Sequence, residues 1–180
     1  MDVNLIQNLI DKLSDGKSAG HDQLLAEHLK YSHPVVIASI HALFQILIAC
    51  NYVPNAFGMG ILIPIPKDET DVSPNKLDKF RGITLSPVIS KIFEASLNAV
   101  FGKPYLNSLN SQFGFKKAHS CTHAIYTVRK TVDYFTSNGA TVNMCAIDIS
   151  KAFDQLNQNK LFIKLIDRNV PIDFIVLLIC

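Results

Sequence analysis

Two segments of this 180-residue sequence have the pattern of β-strands, and both lie among segments with helical spacing. Gly60–Lys67 (GILIPIPK) is rich in β-branched residues but has prolines at alternate positions, which fits an edge strand rather than a central one. Thr141–Asp148 (TVNMCAID) is largely apolar until it reaches an acid. Two strands are too few to cover a sheet face for this much helix. The pattern therefore predicts a mixed α/β fold whose sheet is incomplete.

The helices are predicted from apolar spacing and from their end residues. Asp22 is well placed as the N-cap of a short helix, and Ser86 and Pro87 as the cap and first residue of a later one. Gly139 is available for a positive φ angle after another helix. The predicted helices are an opening one before Asp15, then Gln23–Lys30, Val35–Cys50, Pro87 to about Gly102, Cys121–Phe135, Asn159–Arg168 and a last helix beyond Pro171.

The cysteines and the apolar runs indicate where in the cell the protein is expected. The four cysteines are far apart, form no C-x-x-C pair and follow no secretory signal, so we expect free thiols in a reducing compartment. The longest apolar run, Val35–Cys50, has 16 residues and includes His41 and Gln45. A bilayer span needs about 20 apolar residues. We expect a protein that is neither secreted nor membrane-bound.

The charge is distributed unevenly along the chain. Between Lys76 and Lys130 there are nine Lys and Arg residues against two acids, a net charge of +7, whereas the rest of the chain has eight basic and thirteen acidic residues, a net charge of −5. A basic middle segment is typical of a surface that faces a polyanion. A Lys-rich solvated face would produce the same pattern, so charge alone leaves both interpretations open.

The segment Met144–Leu156 (MCAIDISKAFDQL) places an acid where an apolar run ends. A carboxylate at the end of a strand lies at the sheet edge, where open α/β sheets bind ligands. Asp148 there could bind a hard divalent cation such as Mg²⁺, which phosphoryl-transfer sites use to neutralise phosphate charge. One carboxylate is a weak signal, since it could equally be a solvated strand end. Asp154 could cap the next helix instead of joining such a site.

Several motifs together indicate a family. AIDISKAFDQL resembles the first palm motif of reverse transcriptases from non-LTR (LINE-type) retrotransposons. GKSAGHDQLLAEHLK, NYVPNAFGMGILIPIPK, KFRGITLSPVISKIFEASL and LNSQFGFKKAHSCTHAI are similar to successive amino-terminal blocks of that family, in the same order. The resemblance covers Gly16 to Cys180. It implies a partial right-hand polymerase fold, with helical fingers over about residues 1–135 and the start of an incomplete palm sheet over 136–180.

The resemblance also implies roles for individual residues. Asp148 would be a catalytic ligand of Mg²⁺, and Ile149–Ala152 would offer backbone N–H groups to the incoming deoxynucleoside triphosphate. Lys67 and Arg81 would be the cations on that triphosphate. Phe153 would lie under the incoming sugar and exclude a 2′-hydroxyl group by its volume. Without the family, Lys67 could be solubilising charge and Phe153 a core residue.

A second group of residues is expected to contact the RNA template and the DNA primer. It comprises Gln112, Phe113, Gly114, Phe115, Lys116 and Lys117, whose rings and charges suit stacking and backbone contacts. Phe113 and Phe115 could instead pin the loop Leu106–Ser120 to the core. His119, Cys121 and His123 suggest a metal, but no fourth ligand for a structural zinc is apparent.

Two departures from the family pattern limit the expected activity. The family usually has Arg-Pro-Ile where this chain has Arg81-Gly82-Ile83, and we expect glycine to loosen a turn there. The second catalytic signature, aromatic-x-Asp-Asp, is missing, and the sequence has no Asp-Asp pair. We expect a fragment of an RNA-directed DNA polymerase that does not polymerise alone, in the nucleus or cytoplasm. A non-catalytic nucleic-acid-binding remnant and a decayed product without function are the alternatives.

Overall fold

The computed structural model describes residues 1–68, 79–102, 105, 109–149, 152 and 155–180. It has the predicted mixed architecture, with helices and a two-stranded antiparallel sheet. The chain divides into two compact units, the first formed by Met1–Tyr105 with Leu165–Cys180 and the second by Leu106–Lys164. No helix in the described part of the chain is both long and apolar enough to cross a membrane.

The predicted helices occur in the predicted order, and one short helix that was not predicted, Asn55–Gly58, follows Pro34–Ala49. A π-helical segment, Asn98–Gly102, continues one of them, so that apolar spacing extends to Gly102 as expected. All four cysteines are exposed free thiols. The helices are α1 (Val3–Asp11), α2 (Ala26–Lys30), α3 (Pro34–Ala49), α4 (Asn55–Gly58), α5 (Val88–Leu97), α6 (Cys121–Ser137), α7 (Gln158–Asp167) and α8 (Ile172–Ile179).

The sheet consists of β1 (Ile61–Pro66) and β2 (Phe80–Leu85), paired antiparallel with Ile63 opposite Ile83. The N–H of Lys67 donates to the carbonyl of Lys79 at 2.8 Å, which continues the ladder beyond β1. N–H groups alternate in direction along a strand, so Pro64 and Pro66 lack theirs on the side away from β2. The prediction that β1 is an edge strand is confirmed, because its outer side cannot donate at these positions.

The core of the first unit forms where α1, α3 and α5 pack together. Phe44 of α3 is fully buried and its ring centroid lies 4.9 Å from that of Phe93 on α5. Phe57 of α4 lies against Phe93 in a T-shaped arrangement, with ring centroids 5.7 Å apart. Phe174 of α8 stacks on Phe101 at 5.0 Å. These rings and the buried Ile and Leu residues around them provide most of the hydrophobic stabilisation of this unit.

The loop between α1 and α2 packs on the start of α5 through a glycine. A Cβ atom on Gly20 would lie 2.8 Å from the backbone nitrogen of Pro87, so only glycine allows this approach. Asp22 accepts from the N–H of Leu24 at 3.3 Å and does not cap α2, which begins at Ala26. The predicted start of this helix at Gln23 is wrong because Gln23 has φ +56°, outside the helical region.

Two other predicted boundaries change. Pro87 is the N-cap residue of α5, which begins at Val88, so the prediction of Ser86 as the cap is wrong by one residue. Gly139 has φ +78° after α6, as predicted. The predicted strand Thr141–Asp148 is wrong, because this segment has no regular structure. A strand requires a hydrogen-bonded neighbour, and in the described part of the chain β1 and β2 pair only with each other.

We predict that Phe44→Ala destabilises the first unit by about 3–5 kcal/mol, since it removes a buried ring and leaves a cavity beside Phe93. Chemical denaturation of the variant measures this loss. Leu43→Ala is the matched control on the same helix, because Leu43 is 40% exposed. An equal loss in both variants would contradict the assignment of Phe44 to the core.

We predict that the hydrogen bond between the Gly16 N–H and the Glu27 carboxylate, which joins the loop before α2 to that helix, is lost at low pH. The N–H of Gly16 donates to Glu27 Oε1 at 2.6 Å, and this hydrogen bond lowers the pKa of Glu27 below its ordinary value of 4.5. Because the folded-state pKa is depressed, the stabilisation is present above pH 4.5 and is lost as the pH falls through the folded pKa. The NMR shift of the Gly16 amide should titrate with a midpoint below 4.5. Glu27→Gln should abolish this titration, and a midpoint above that value would refute the bond.

Candidate functional site

The β1–β2 hairpin brings together the two cations that the family resemblance assigns to one site. Arg81 lies opposite Ile65, and Lys67 lies opposite Lys79 through the 2.8 Å hydrogen bond. Side chains two residues apart on a strand point to the same face, as do directly opposed side chains. Lys67, Lys79 and Arg81 therefore share one face of the hairpin, which we name the hairpin cation face.

The hairpin cation face is accessible to an anion. Lys67 and Arg81 are exposed, and Lys79 is half-buried. Successive residues on one face of a strand are about 6.6–6.8 Å apart, and opposed residues about 4.5–5.5 Å apart. Three cations at this spacing can contact several oxygens of one polyphosphate, with Arg able to bind two at once.

Lys79 is the member of this face that the sequence reasoning missed. The sequence feature that could have identified Lys79 is the alternation Lys79-Phe80-Arg81. This alternation places Lys79 and Arg81 on one face only if Phe80–Leu85 is a strand. That strand was not predicted. The expectation of a loosened turn at Gly82 is wrong for the same reason, since Gly82 lies in β2 opposite Pro64. A Cβ atom there would lie 2.9 Å from Leu62 Cδ1, so this position favours glycine. Arg81 lies in the same regular strand pair, opposite Ile65.

The residues assigned to template and primer lie on an exposed loop. Gln112 donates through Nε2 to the carbonyl of Gly114 at 3.0 Å. Phe115 is fully exposed and has φ +56°, an unusual backbone conformation for a bulky residue. The alternative that Phe115 pins the loop to the core is therefore wrong. Phe113 is half-buried and its ring lies 5.9 Å from that of His119.

Two lysines, Lys116 and Lys117, follow Phe115 on this loop. Lys117 is exposed and Lys116 is half-buried. A fully exposed aromatic ring beside two ammonium groups is a suitable surface for a nucleic acid, because bases stack on rings and phosphates attract cations.

Asp148 is exposed in the second unit, within the segment Thr141–Ile149 that has no regular structure. Ile149 is also exposed, with 68% of its side chain accessible. The hairpin cation face belongs to the first unit. Phe153, Asp154 and the backbone of Ser150 and Lys151 lie outside the described residues, so their predicted roles stay predictions.

The chemistry of Asp148 fits one ligand of Mg²⁺, which prefers carboxylate oxygens. The part of the chain that the structure describes contains no group of three or more His, Cys, Asp or Glu residues that could hold a metal ion. His119 and His123 approach each other, with ring centroids 6.3 Å apart. In the described residues, a carboxylate site sufficient for two-metal phosphoryl transfer is not assembled.

Comparison with known proteins identifies similar sequences among polymerases of mobile elements. The chain is 27% identical over 159 residues to the probable RNA-directed DNA polymerase from transposon X-element of Drosophila melanogaster. It is 26% identical over 154 residues to the RNA-directed DNA polymerase from mobile element jockey of the same organism. Each match covers 84% of this chain but 17% of the relative.

No family model matches the chain. The chain spans about a sixth of the length of these curated relatives. The similarity nevertheless extends over most of the residues in which the ordered motifs occur. The predicted resemblance of this chain to the reverse transcriptases of non-LTR retrotransposons is confirmed by these two relatives.

Proposed function

We propose that this chain is part of a retrotransposon reverse transcriptase domain and contributes nucleotide and nucleic-acid contacts to RNA-directed DNA synthesis. The similarity to two RNA-directed DNA polymerases over 84% of the chain supports the family. The observation that carries the functional proposal is the hairpin cation face, where strand register places Lys67, Lys79 and Arg81 together. A surface of this kind suits the triphosphate of an incoming nucleotide.

The triphosphate role follows from charge and from local rigidity. The ladder fixes the backbone at Lys67 and Arg81, so their charges stay together without the long-range packing that loops require. Arg81 supplies planar paired donors, and the two lysines supply point charges. Lys79 thus joins Lys67 and Arg81 as a third triphosphate-binding residue.

Asp148 is proposed as one carboxylate ligand of the catalytic metal. Mg²⁺ bound there would neutralise phosphate charge during nucleotidyl transfer. Asp148 would hold one side of the ion through an exposed oxygen. The backbone N–H of Ile149 would donate to the phosphates of the nucleotide. Phe153 would exclude a 2′-hydroxyl group on its sugar. Because two-metal transfer needs several carboxylates, we propose that this chain does not polymerise alone.

The exposed loop is proposed to contact the RNA template and the DNA primer. Phe115 offers a ring to an unpaired or terminal base, and Lys116 and Lys117 offer charge to the backbone. Phe113 supports the loop from its half-buried position, and Gln112 constrains it through Gly114. A second candidate function is nucleic-acid binding without chemistry, which the exposed ring of Phe115 and the neighbouring charges of Lys116 and Lys117 would provide.

We predict that inorganic tripolyphosphate binds the hairpin cation face. Each of Lys67→Ala, Lys79→Ala and Arg81→Ala should weaken binding about two- to fivefold, since exposed charge pairs contribute about 0.5–1 kcal/mol each. The triple variant should lose binding. NMR titration that follows the amides of β1 and β2 measures the affinity. Lys12→Ala is the control, because Lys12 is exposed at the end of α1. Equal weakening by the control would refute a specific site.

We predict salt-dependent binding of a DNA-primed RNA template, measured by fluorescence anisotropy. Lys117→Ala should reduce the slope of log affinity against log salt by about 0.7–0.9, because one phosphate contact is lost. Asp148→Asn should not weaken binding, whether or not the parent site is catalytic.

The same complex supplied with Mg²⁺ and deoxynucleotides should show no primer extension. DNA synthesis by the isolated chain would overturn the proposal that further carboxylates are required.

A further inference from the structure

The two edges of the β1–β2 sheet differ in their capacity to pair with another strand. The N–H of Lys67 donates to the carbonyl of Lys79, so the backbone groups of this residue pair point into the sheet. These groups alternate in direction along a strand, so Phe80, Gly82 and Thr84 of β2 point theirs away from β1. In the part of the chain that the structure describes, β2 pairs with β1 alone. We name the outward N–H and C=O groups of Phe80, Gly82 and Thr84 the open edge.

Prolines close the opposite edge of the sheet. The outward positions of β1 are Leu62, Pro64 and Pro66, and a proline has no N–H to donate. The open edge contains no proline, and its residues Gly82 and Thr84 are exposed. Proteins protect exposed strand edges with prolines or covering segments, because a free edge is a template for pairing. Within the described residues, the sheet is thus protected against further pairing on β1 but not on β2.

The side chains of the sheet also favour an added strand. Both faces expose apolar groups, with 65% of Leu62 accessible on one face and 40% of Ile83 on the other. A pair of strands alone is only marginally stable in water, and further strands add cross-strand contacts. A strand that pairs with β2 therefore satisfies the open edge and covers apolar surface at the same time.

We propose that the open edge pairs antiparallel with the open edge of a second copy of this chain, across a twofold axis. In this pairing Gly82 of each copy exchanges backbone hydrogen bonds with Thr84 of the other, and the glycine leaves room for the β-branched side chain. The strand order becomes β1-β2-β2-β1, so that Pro64 and Pro66 close both outer edges. A second copy is the partner that fits, because this edge is complementary to itself and the result is a closed dimer rather than a filament.

The proposed register places apolar side chains at the twofold axis and charges away from it. When Gly82 lies opposite Thr84, Ile83 lies opposite its own counterpart and Arg81 lies opposite Leu85 of the other copy. The two Arg81 residues are then about 13 Å apart along the strands, at about 3.3 Å per residue. This separation exceeds the distance of about 8 Å over which exposed charges interact at physiological salt. A register with Arg81 opposite Arg81 would instead oppose like charges, which is destabilising.

The first test measures the oligomeric state of the full 180-residue chain by sedimentation velocity. A single strand pair buries little surface, so we expect a reversible dimer with a dissociation constant of about 10–500 µM. Hydrogen exchange of the backbone amides, followed by NMR, locates the contact. The amides of Gly82 and Thr84 should exchange more slowly as the protein concentration rises, because they are hydrogen-bonded in the dimer. The amide of Leu62, outward on β1, is the internal control and should exchange at a constant rate.

Matched proline variants test which edge is used. Thr84→Pro removes an outward N–H of β2, and Leu62→Pro removes the outward N–H that lies directly across the sheet on β1. Thr84→Pro should raise the dissociation constant of the dimer at least about tenfold, because each copy loses a hydrogen bond. Leu62→Pro should leave it unchanged. Amide NMR spectra of both variants verify that the strand pair is intact.

A second matched pair keeps the backbone unchanged and tests the register. Ile83 and Ile63 lie opposite each other and are similarly exposed, at 40% and 41%. Ile83→Lys places two ammonium groups opposite each other at the twofold axis, so it should weaken the dimer about fivefold at low salt and less at high salt. Ile63→Lys places its charge one strand farther away and should have little effect.

The outcomes decide the proposal independently of the proposed function. A chain that stays monomeric up to about 1 mM overturns it, since even weak specific interfaces associate at that concentration. A dimer that is unaffected by Thr84→Pro, or in which the amide of Gly82 stays unprotected, overturns it as well. Equal weakening by Ile83→Lys and Ile63→Lys contradicts the register. Binding of nucleotide and nucleic acid is assigned to side chains of the hairpin cation face and of the exposed loop, so none of these results decides that assignment.

Discussion

The hydrogen-bond register of β1 and β2 determines the arrangement of the three cations proposed to bind a triphosphate. Ile65 opposite Arg81, continued by the bond between Lys67 and Lys79, decides which side chains share a face. The same register directs Pro64 and Pro66 away from β2, where their missing N–H groups cost no ladder bond. The alternation of residues along the strands thus determines both the direction of the proline nitrogens and the face on which the cations lie. A shift of one residue would place a proline against the ladder and separate the cations.

Burial is distributed unequally between the two units. Among the described residues, the buried apolar side chains belong to the first unit, whereas α6 in the second has none. One face of α6 and Met144 instead line an apolar hollow of about 450 Å³. The polar loop with Phe115 and the segment with Asp148 lie in this same unit. The loop proposed to contact nucleic acid therefore precedes a helix, α6, that has no buried residue.

The sequence was sufficient for features that depend on neighbouring residues. Apolar spacing and end residues predicted α3, α6 and α8, and Gly139 took the expected positive φ. Features that depend on distant residues were missed. Thr141–Asp148 has a strand-like sequence but no paired neighbour, and β2 contains Gly82, a residue that weakens a strand pattern. Gln23 has a positive φ angle, so α2 begins at Ala26, three residues after its predicted start. Local helix propensity does not reveal this conformation.

The candidate site shows the same division between local and distant determinants. Lys67 and Arg81 were predicted from motif resemblance, and a hairpin brings them together with Lys79, which only the register identifies. Asp148 has no such local support, because a two-metal site requires carboxylates from separate segments. The cations proposed to bind phosphate therefore come from two neighbouring strands, whereas a two-metal site needs carboxylates from separate segments. The proposed binding of a triphosphate thus depends on the register of β1 and β2, and the proposed chemical transfer depends on other parts of the protein.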